Sequence, residues 1–202
     1  MARESEPVAS GSPFNYKNLF LSKRFTYSLS TPMWNDTDTP LAFFISFRCY
    51  GTWLHGDDRG SVDRHHNDYG APRIPRNDTW KRIEGGLTKH PPVRLDGARR
   101  KAVKDAIRET CEKRNWYLWA MNVRTNHGHA VITAAGRNPD LVLNALKANA
   151  TRKMRECGCW PHEYSPWAEK GSKRRLWNEQ SIARAIDYVN NRQGDDLPDF
   201  GS

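Results

Sequence analysis

Two histidines and a tyrosine are the residues best suited to do chemistry together. His127 and His129 flank one glycine in the stretch RTNHGHAVIT, residues 124–133. Residues i and i+2 of a strand point to the same face, so the two imidazoles would project side by side, with Cα atoms roughly 6.5–7 Å apart. At that spacing they can converge on one metal ion. Two ligands leave coordination positions open for water and a phosphate oxygen, as a Lewis-acid centre requires. Gly128 and Ala130 would face the other way, where small residues let a helix pack close behind. Taken alone, His-x-His fits incidental surface or core imidazoles equally well.

Tyr188 lies in AIDYVNNRQG, with Arg184 one turn before it and Arg192 one turn after, on one helical face. Such a tyrosine is either an exposed packing residue or a nucleophile whose phenolate and target phosphate are both stabilised by cations. An ordinary phenol has a pKa near 10, so attack at neutral pH needs that help.

Cations elsewhere point to a nucleic-acid surface. Lys147, Arg152, Lys153 and Arg155 cluster in one segment, and the tract KGSKRR adds Lys170, Lys173, Arg174 and Arg175. These are expected to contact a DNA backbone, since phosphate contacts supply most sequence-independent affinity. The competing reading for the first group is a solvated helix face. Asn126, just before His127, either positions a phosphate or water or serves only as a turn residue. His55, Asp57, Asp58, His65 and His66 could make a second metal site, but their spacing fixes no ligand geometry. Cys157-Gly-Cys159 with His162 hints at zinc but lacks an evident fourth ligand, and free cysteines in a turn are the better reading.

These residues need elements to hold them. LAFFISFRCY predicts a first strand over 41–50. Residues 54–92, rich in Gly, Pro, Asp, His and Arg, read as a long irregular insertion. Asp96 opens a helix with Ala98, Ala102, Val103, Ala106, Ile107 and Cys111 at helical spacing. Strands follow over 115–123 and 127–134. Asn138-Pro139 starts a second helix whose buried stripe is Leu143, Leu146, Ala150 and Met154. A short strand is expected over 173–178 and a last helix over 179–193, with Ile182, Ala185, Ile186 and Val189 as its stripe and Gly194 as its stop. The order is β-α-β-β-α-β-α, whose first six elements match the split βαβ, ferredoxin-like α+β arrangement with an antiparallel sheet. Residues 1–40 read as a poorly ordered extension, 41–194 as the catalytic domain and 195–202 as a short tail.

The bulk numbers agree with a polyanionic partner. Lys and Arg total 32 against 23 acidic residues, for a net charge of +9, and only 37% of the 202 residues are hydrophobic. No apolar run approaches the roughly 20 residues that span a membrane. No signal peptide is legible, so the four cysteines read as reduced thiols and the expected location is a reducing cytoplasm.

With these segments in view, the chain resembles the HUH single-tyrosine transposases, especially the REP-associated tyrosine transposases. The resemblance rests on TNHGHAVI, on LWNEQSIARAIDYVNNRQG and on FFISFRCYGTWLHGDDRGSVDR, in that family's order. It implies a ferredoxin-like fold and a divalent metal, Mg²⁺ or Mn²⁺, held by His127 and His129. It implies that Tyr188 attacks single-stranded DNA beside a hairpin, forming a 5′-phosphotyrosine link and freeing a 3′-hydroxyl. Imidazole ligands favour Mn²⁺ over Mg²⁺. Two positions depart from the family. Gly128 stands where a bulky apolar residue is usual, so the strand is expected to pack less well. A third ligand, Gln or Asn, often lies one turn after the tyrosine, where this chain has Arg192, which cannot ligate. Gln193 is then the expected third ligand and Asn191 the weaker one. The expected partner is single-stranded or hairpin DNA and the assembly a monomer or homodimer. The alternatives are a domesticated hairpin-binding protein that no longer cuts, and a ferredoxin-like RNA-binding module that would leave His127, His129 and Tyr188 without a role.

Overall fold

A computed structural model describes residues 39–58, 60, 74–194 and 197. The expected amino-terminal extension and nearly all of the tail lie outside these residues. Among them are four strands and four helices: β1 (Ala42–Cys49), α1 (Asp78–Leu87), α2 (Gly97–Lys113), β2 (Tyr117–Val123), β3 (His127–Thr133), α3 (Pro139–Glu156), β4 (Trp167–Leu176) and α4 (Glu179–Asn191).

The strands form one antiparallel sheet in the order β2-β3-β1-β4. That order, with α2 and α3 as the crossovers, is the expected ferredoxin-like α+β fold. Alternation along β1 sorts its side chains cleanly. Phe43, Ile45, Phe47 and Cys49 join the main core, together with Ala130 and Ile132 of β3. Val103, Ile107, Leu146, Ala150 and Met154 close that core from α2 and α3. The opposite face buries Ala42, Ala120, Val131 and Leu176, and there α4 supplies Ile182, Ala185, Ile186 and Val189. Each fully buried aliphatic side chain contributes roughly 1.5–3 kcal/mol relative to leaving it exposed. Three large ones are enough to hold a helix of this length on the sheet. Only Trp177 and Asn178 separate β4 from α4.

Caps set most boundaries. Asp96 accepts from the Arg99 N–H and Asn138 from the Asp140 N–H, as their positions predicted. Asn178 and Ser181 cap each other reciprocally at the start of α4. Gly194, at φ +76°, lies just past the end of α4, which stops at Asn191 rather than Gln193.

Several expectations need correction. The stretch 54–92 is not wholly irregular, because α1 lies within it, capped by Asn77. This helix buries no residue, so no core stripe betrays it, and Gly85-Gly86 weakens its pattern further. Ala98 is exposed, while Gly97 and Arg100 take the buried positions at the start of α2. β2 begins at Tyr117, because Asn115 adopts φ 54° in ending α2. β4 is ten residues long and starts at Trp167 rather than 173. Its interior glycine hides it: a Cβ on Gly171 would sit 2.6 Å from the Ser46 carbonyl oxygen, so the close approach of β1 demands glycine there.

Gly128 is a related case, and the strand around it is not loosely packed. A Cβ at Gly128 would come within 2.8 Å of the Phe47 ring, its partner across the β1–β3 ladder. Phe47 is fully buried, edge-on to Trp167 at 5.0 Å, and fills the space that a side chain at 128 would take. Overpacking a close-packed core costs typically 1–3 kcal/mol. Gly128→Ala is therefore expected to lower stability by about that amount. Phe47→Leu in the same chain should recover part of the loss, as read by urea denaturation.

Candidate active site

The turn between β2 and β3 is pinned by backbone bonds. Arg124 N–H donates to the His127 carbonyl at 2.8 Å, Cys49 N–H to the Asn126 carbonyl at 2.8 Å, and Leu95 N–H to the Thr125 carbonyl at 2.7 Å. β3 leaves this turn with His127 opposite Arg48 and His129 opposite Ser46. Both imidazoles thus stand on the face that carries α4, their ring centroids 4.8 Å apart.

Each ring has a polar partner. His127 Nδ1 lies 2.7 Å from Asn126 Oδ1, and its Nε2 lies 3.3 Å from Gln193 Oε1. His129 Nδ1 lies 2.7 Å from Ser46 Oγ. Such partners orient imidazoles and fix their tautomers. At His127 they pose a proton problem. Both ring nitrogens face amide oxygens, which only accept, and a neutral imidazole has one N–H to offer. A cation held between Nε2 and the Gln193 oxygen would satisfy both. Two imidazoles and an amide oxygen form a donor set that suits a divalent metal with open positions, Mn²⁺ better than Mg²⁺.

Tyr188 comes from the other layer. Ala185 and Val189 are buried on either side of it, which turns the intervening Tyr188 toward the edge of the contact, 41% exposed. Its ring centroid lies 5.7 Å from that of His129 and 5.8 Å from that of Phe44, and Phe44 stacks on His129 at 5.3 Å. Asn122 of β2 donates to the Val189 carbonyl at 3.1 Å and ties the sheet to α4 next to the tyrosine. Gln193 lies just beyond the Arg192 C-cap. Its Nε2 donates to the Tyr188 carbonyl at 3.3 Å, which turns Oε1 toward His127. Arg192 turns to Asp187 instead, at 2.9 Å, and the alternative ligand Asn191 also donates to Asp187, at 2.9 Å. Those two bonds, Asn191's first, hold the Asp187 carboxyl below its usual range.

Burial, with the charges of His127 and Arg48 adding to it, pushes the His129 imidazole down to about 4. His129 therefore keeps a lone pair available in ordinary buffers.

The cations divide between the two faces of the sheet. Arg174 stands opposite Phe44 in the ladder, on the face of Tyr188, and exposed Arg184 lies four residues before the tyrosine on α4. Lys170 is exposed at the edge strand. Lys173 instead pairs with Asp140 of α3, and Arg175, opposite core-facing Phe43, shares that side. Arg152, Lys153 and Arg155 sit on α3, across the sheet from the histidines. Arg152 pairs with Glu156 at 2.6 Å, Lys153 with Glu109 at 3.3 Å, and Arg155 donates to the His162 and Glu163 carbonyls. Lys147 departs furthest from the expected DNA contact. It is buried and donates to the carbonyls of Ala168, Glu169 and Lys170 at 2.7–3.1 Å. Burial lowers its pKa, and its role is to satisfy the backbone where β4 begins.

Sequence reasoning missed Phe44, Ser46, Arg48 and Asn122. Alternation puts the first three on one face of β1, but nothing in one sequence says which strand lies beside them. Arg48 is held 3.3 Å over the Trp53 ring, beside the histidines. Among the described residues, the second metal cluster does not assemble. His55 pairs with Glu84 at 2.6 Å and buried Asp57 with Lys81 at 3.2 Å, while His65 and His66 lie outside the described residues. Among the described residues, no three His, Cys, Asp or Glu side chains form a metal-binding group. No described helix is long and apolar enough to cross a membrane.

A sequence model of the family described as "Transposase IS200 like" matches residues 87–191. The chain belongs to the IS200-like transposase family. The match runs from the end of α1 through α4 and so takes in both histidines and the tyrosine. Among solved structures, the chain is similar to a REP-associated tyrosine transposase bound to a REP hairpin, at 12% identity over 75% of this chain and 65% of that one, with a TM-score of 0.40. It is also similar to a candidate transposase from Deinococcus radiodurans R1, at 17% identity over 77% of this chain and 93% of that one, with a TM-score of 0.38. The chain thus spans just under two thirds of the length of the first. No curated protein matches.

The His129 environment has a measurable consequence for stability. Its folded value near 4 lies below the ordinary 6.5, so between the two the unfolded chain binds the proton more readily. This contribution to stability is complete above about pH 6.5 and is lost as pH falls toward 4. The urea midpoint of the wild type should fall more steeply across that window than that of His129→Gln.

Proposed function

We propose that this transposase cuts and rejoins single-stranded DNA through a covalent 5′-phosphotyrosine link at Tyr188, with a divalent cation at His127, His129 and Gln193. The observation that carries the reading is the meeting of the Tyr188 and His129 rings at 5.7 Å on one face of the sheet, with the Gln193 amide at His127. A nucleophile and a candidate Lewis-acid site from two separate elements have no packing reason to coincide at a half-exposed edge. A Mg²⁺ or Mn²⁺ ion bound there would polarise the phosphate and offset its charge.

In this reading the Tyr188 oxygen bonds to the phosphorus and the bond from phosphorus to the 3′-oxygen breaks. The 5′-phosphate stays on the tyrosine and a 3′-hydroxyl is released. A later 3′-hydroxyl reverses the exchange, so the energy of the phosphodiester is kept and no nucleotide cofactor is needed. Neutral His129 provides a lone pair, Ser46 and Asn126 hold the two rings in orientation, and Arg48, Arg174 and Arg184 supply positive charge on the same face. Most of the rate enhancement in such a site comes from positioning and charge stabilisation. The preference for DNA beside a hairpin rests on the sequence resemblance to the REP-associated tyrosine transposases.

The test is an adduct assay on labelled single-stranded hairpin DNA drawn from repeats flanking the gene, with Mn²⁺. A denaturation-resistant protein–DNA adduct is expected from the wild type and none from Tyr188→Phe. An adduct that persists in Tyr188→Phe would overturn the nucleophile assignment, and no adduct on any flanking repeat would overturn the cutting activity. Metal binding is read separately. Mn²⁺ should raise the Tm of the wild type, raise it less in Gln193→Ala, and leave His127→Ala unchanged.

A further inference from the structure

Cys157 and Cys159 lie at the end of α3 and play no part in the chemistry above. Their sulfurs are 3.0 Å apart, although both cysteines are free. The turn that brings them together is held at several points. Cys157 is the C-cap of α3, and its N–H donates to the Lys153 carbonyl at 3.1 Å. Gly158 takes φ +72° with its N–H on the Arg155 carbonyl, and this left-handed step turns the chain back on itself. Beyond it, the Cys159 carbonyl accepts from Arg99 Nε at 2.9 Å, and the Trp160 N–H donates to the Met154 carbonyl at 3.1 Å. The backbone on both sides is therefore fixed with the two sulfurs 3.0 Å apart, against about 2.05 Å in an S–S bond.

We propose that Cys157 and Cys159 form a thiol–disulfide exchange site that closes an intramolecular disulfide by reducing a small-molecule disulfide such as oxidised glutathione. The order of steps follows from exposure. Cys157 is exposed, and its thiolate attacks one sulfur of the small disulfide and expels the other as a thiolate. Cys159, partly buried, then attacks the Cys157 sulfur of the mixed disulfide and expels the second small thiol. Two protein thiols and one small disulfide thus become one protein disulfide and two small thiols. Before the reaction, burial, then the hydrogen bond that Cys159 donates to Cys157 and the charge of Cys157, push the Cys159 thiol up to about 12. Capping Cys157 removes the hydrogen bond and the charge and leaves burial, the largest cause, in place. Cys49 and Cys111 are buried and each pushed up to about 12 by that burial, so they do not compete.

The test treats the full reduced chain with oxidised glutathione in the presence of a chelator, traps remaining thiols with an alkylating agent and weighs the tryptic peptide 156–170, which carries both cysteines. The wild-type peptide is expected to be lighter by two hydrogens and to carry no glutathione. Cys159→Ser should accumulate one glutathionyl group at Cys157, and Cys157→Ser should remain unmodified over the same time. The folded chain should close the ring faster than the urea-unfolded chain. A wild-type peptide that keeps a glutathionyl group as fully as Cys159→Ser, or that leaves both thiols open to alkylation, would overturn the proposal. Equal rates in the folded and unfolded chain would overturn it as well.

Discussion

A slip of one residue between β1 and β3 would turn both imidazoles from the α4 face into the main core, because side chains alternate strictly along a strand. The register of this one pairing is therefore the constraint on which the rest depends. Gly128 against Phe47 enforces it: the buried ring needs a residue without a side chain opposite, and the neighbouring positions of β3 are His127 and His129. With the ladder locked, Ser46 is delivered to His129, Arg48 to His127 and Phe44 to the ring of Tyr188. A glycine that looks like a weakness in the strand is thus what fixes the polar face.

The two layers divide the work. α2 and α3 close the large apolar core, and the cations on their outer surfaces are largely spent on local carboxylates and carbonyls. α4 closes a thinner second layer with a few aliphatic side chains, and its far end lies at the rim of the sheet, where the two histidines, the tyrosine and the nearby arginines meet water. This explains how His129 is buried enough to lose its proton affinity while Tyr188 stays open to a macromolecular substrate.

Much of this was legible in the sequence because it depends on local rules. Alternation put His127 and His129 on one face, helical spacing marked Ile182, Ala185, Ile186 and Val189, and Asp96, Asn138 and Gly194 announced helix ends. The order of elements then led to the sheet. What was not legible depends on contacts between distant segments. Lys147 has the composition of a surface cation, and only the chain reversal at β4 shows the carbonyls it serves. The start of β4 was hidden because Gly171 reads as a break until β1 is seen pressed against it. Ser46 and Arg48 carry no signal until the strand beside them is known, and α1 has no buried stripe to detect.

The two-residue connection between β4 and α4 has a consequence for how Tyr188 can move. The three Cα–Cα steps from Leu176 to Glu179 reach at most about 11 Å. Leu176 is already fixed in the ladder opposite Ala42, and Ile182 is already buried. With both ends held, any movement of Tyr188 away from the histidines of its own sheet has to strip α4 from that sheet or melt the end of β4.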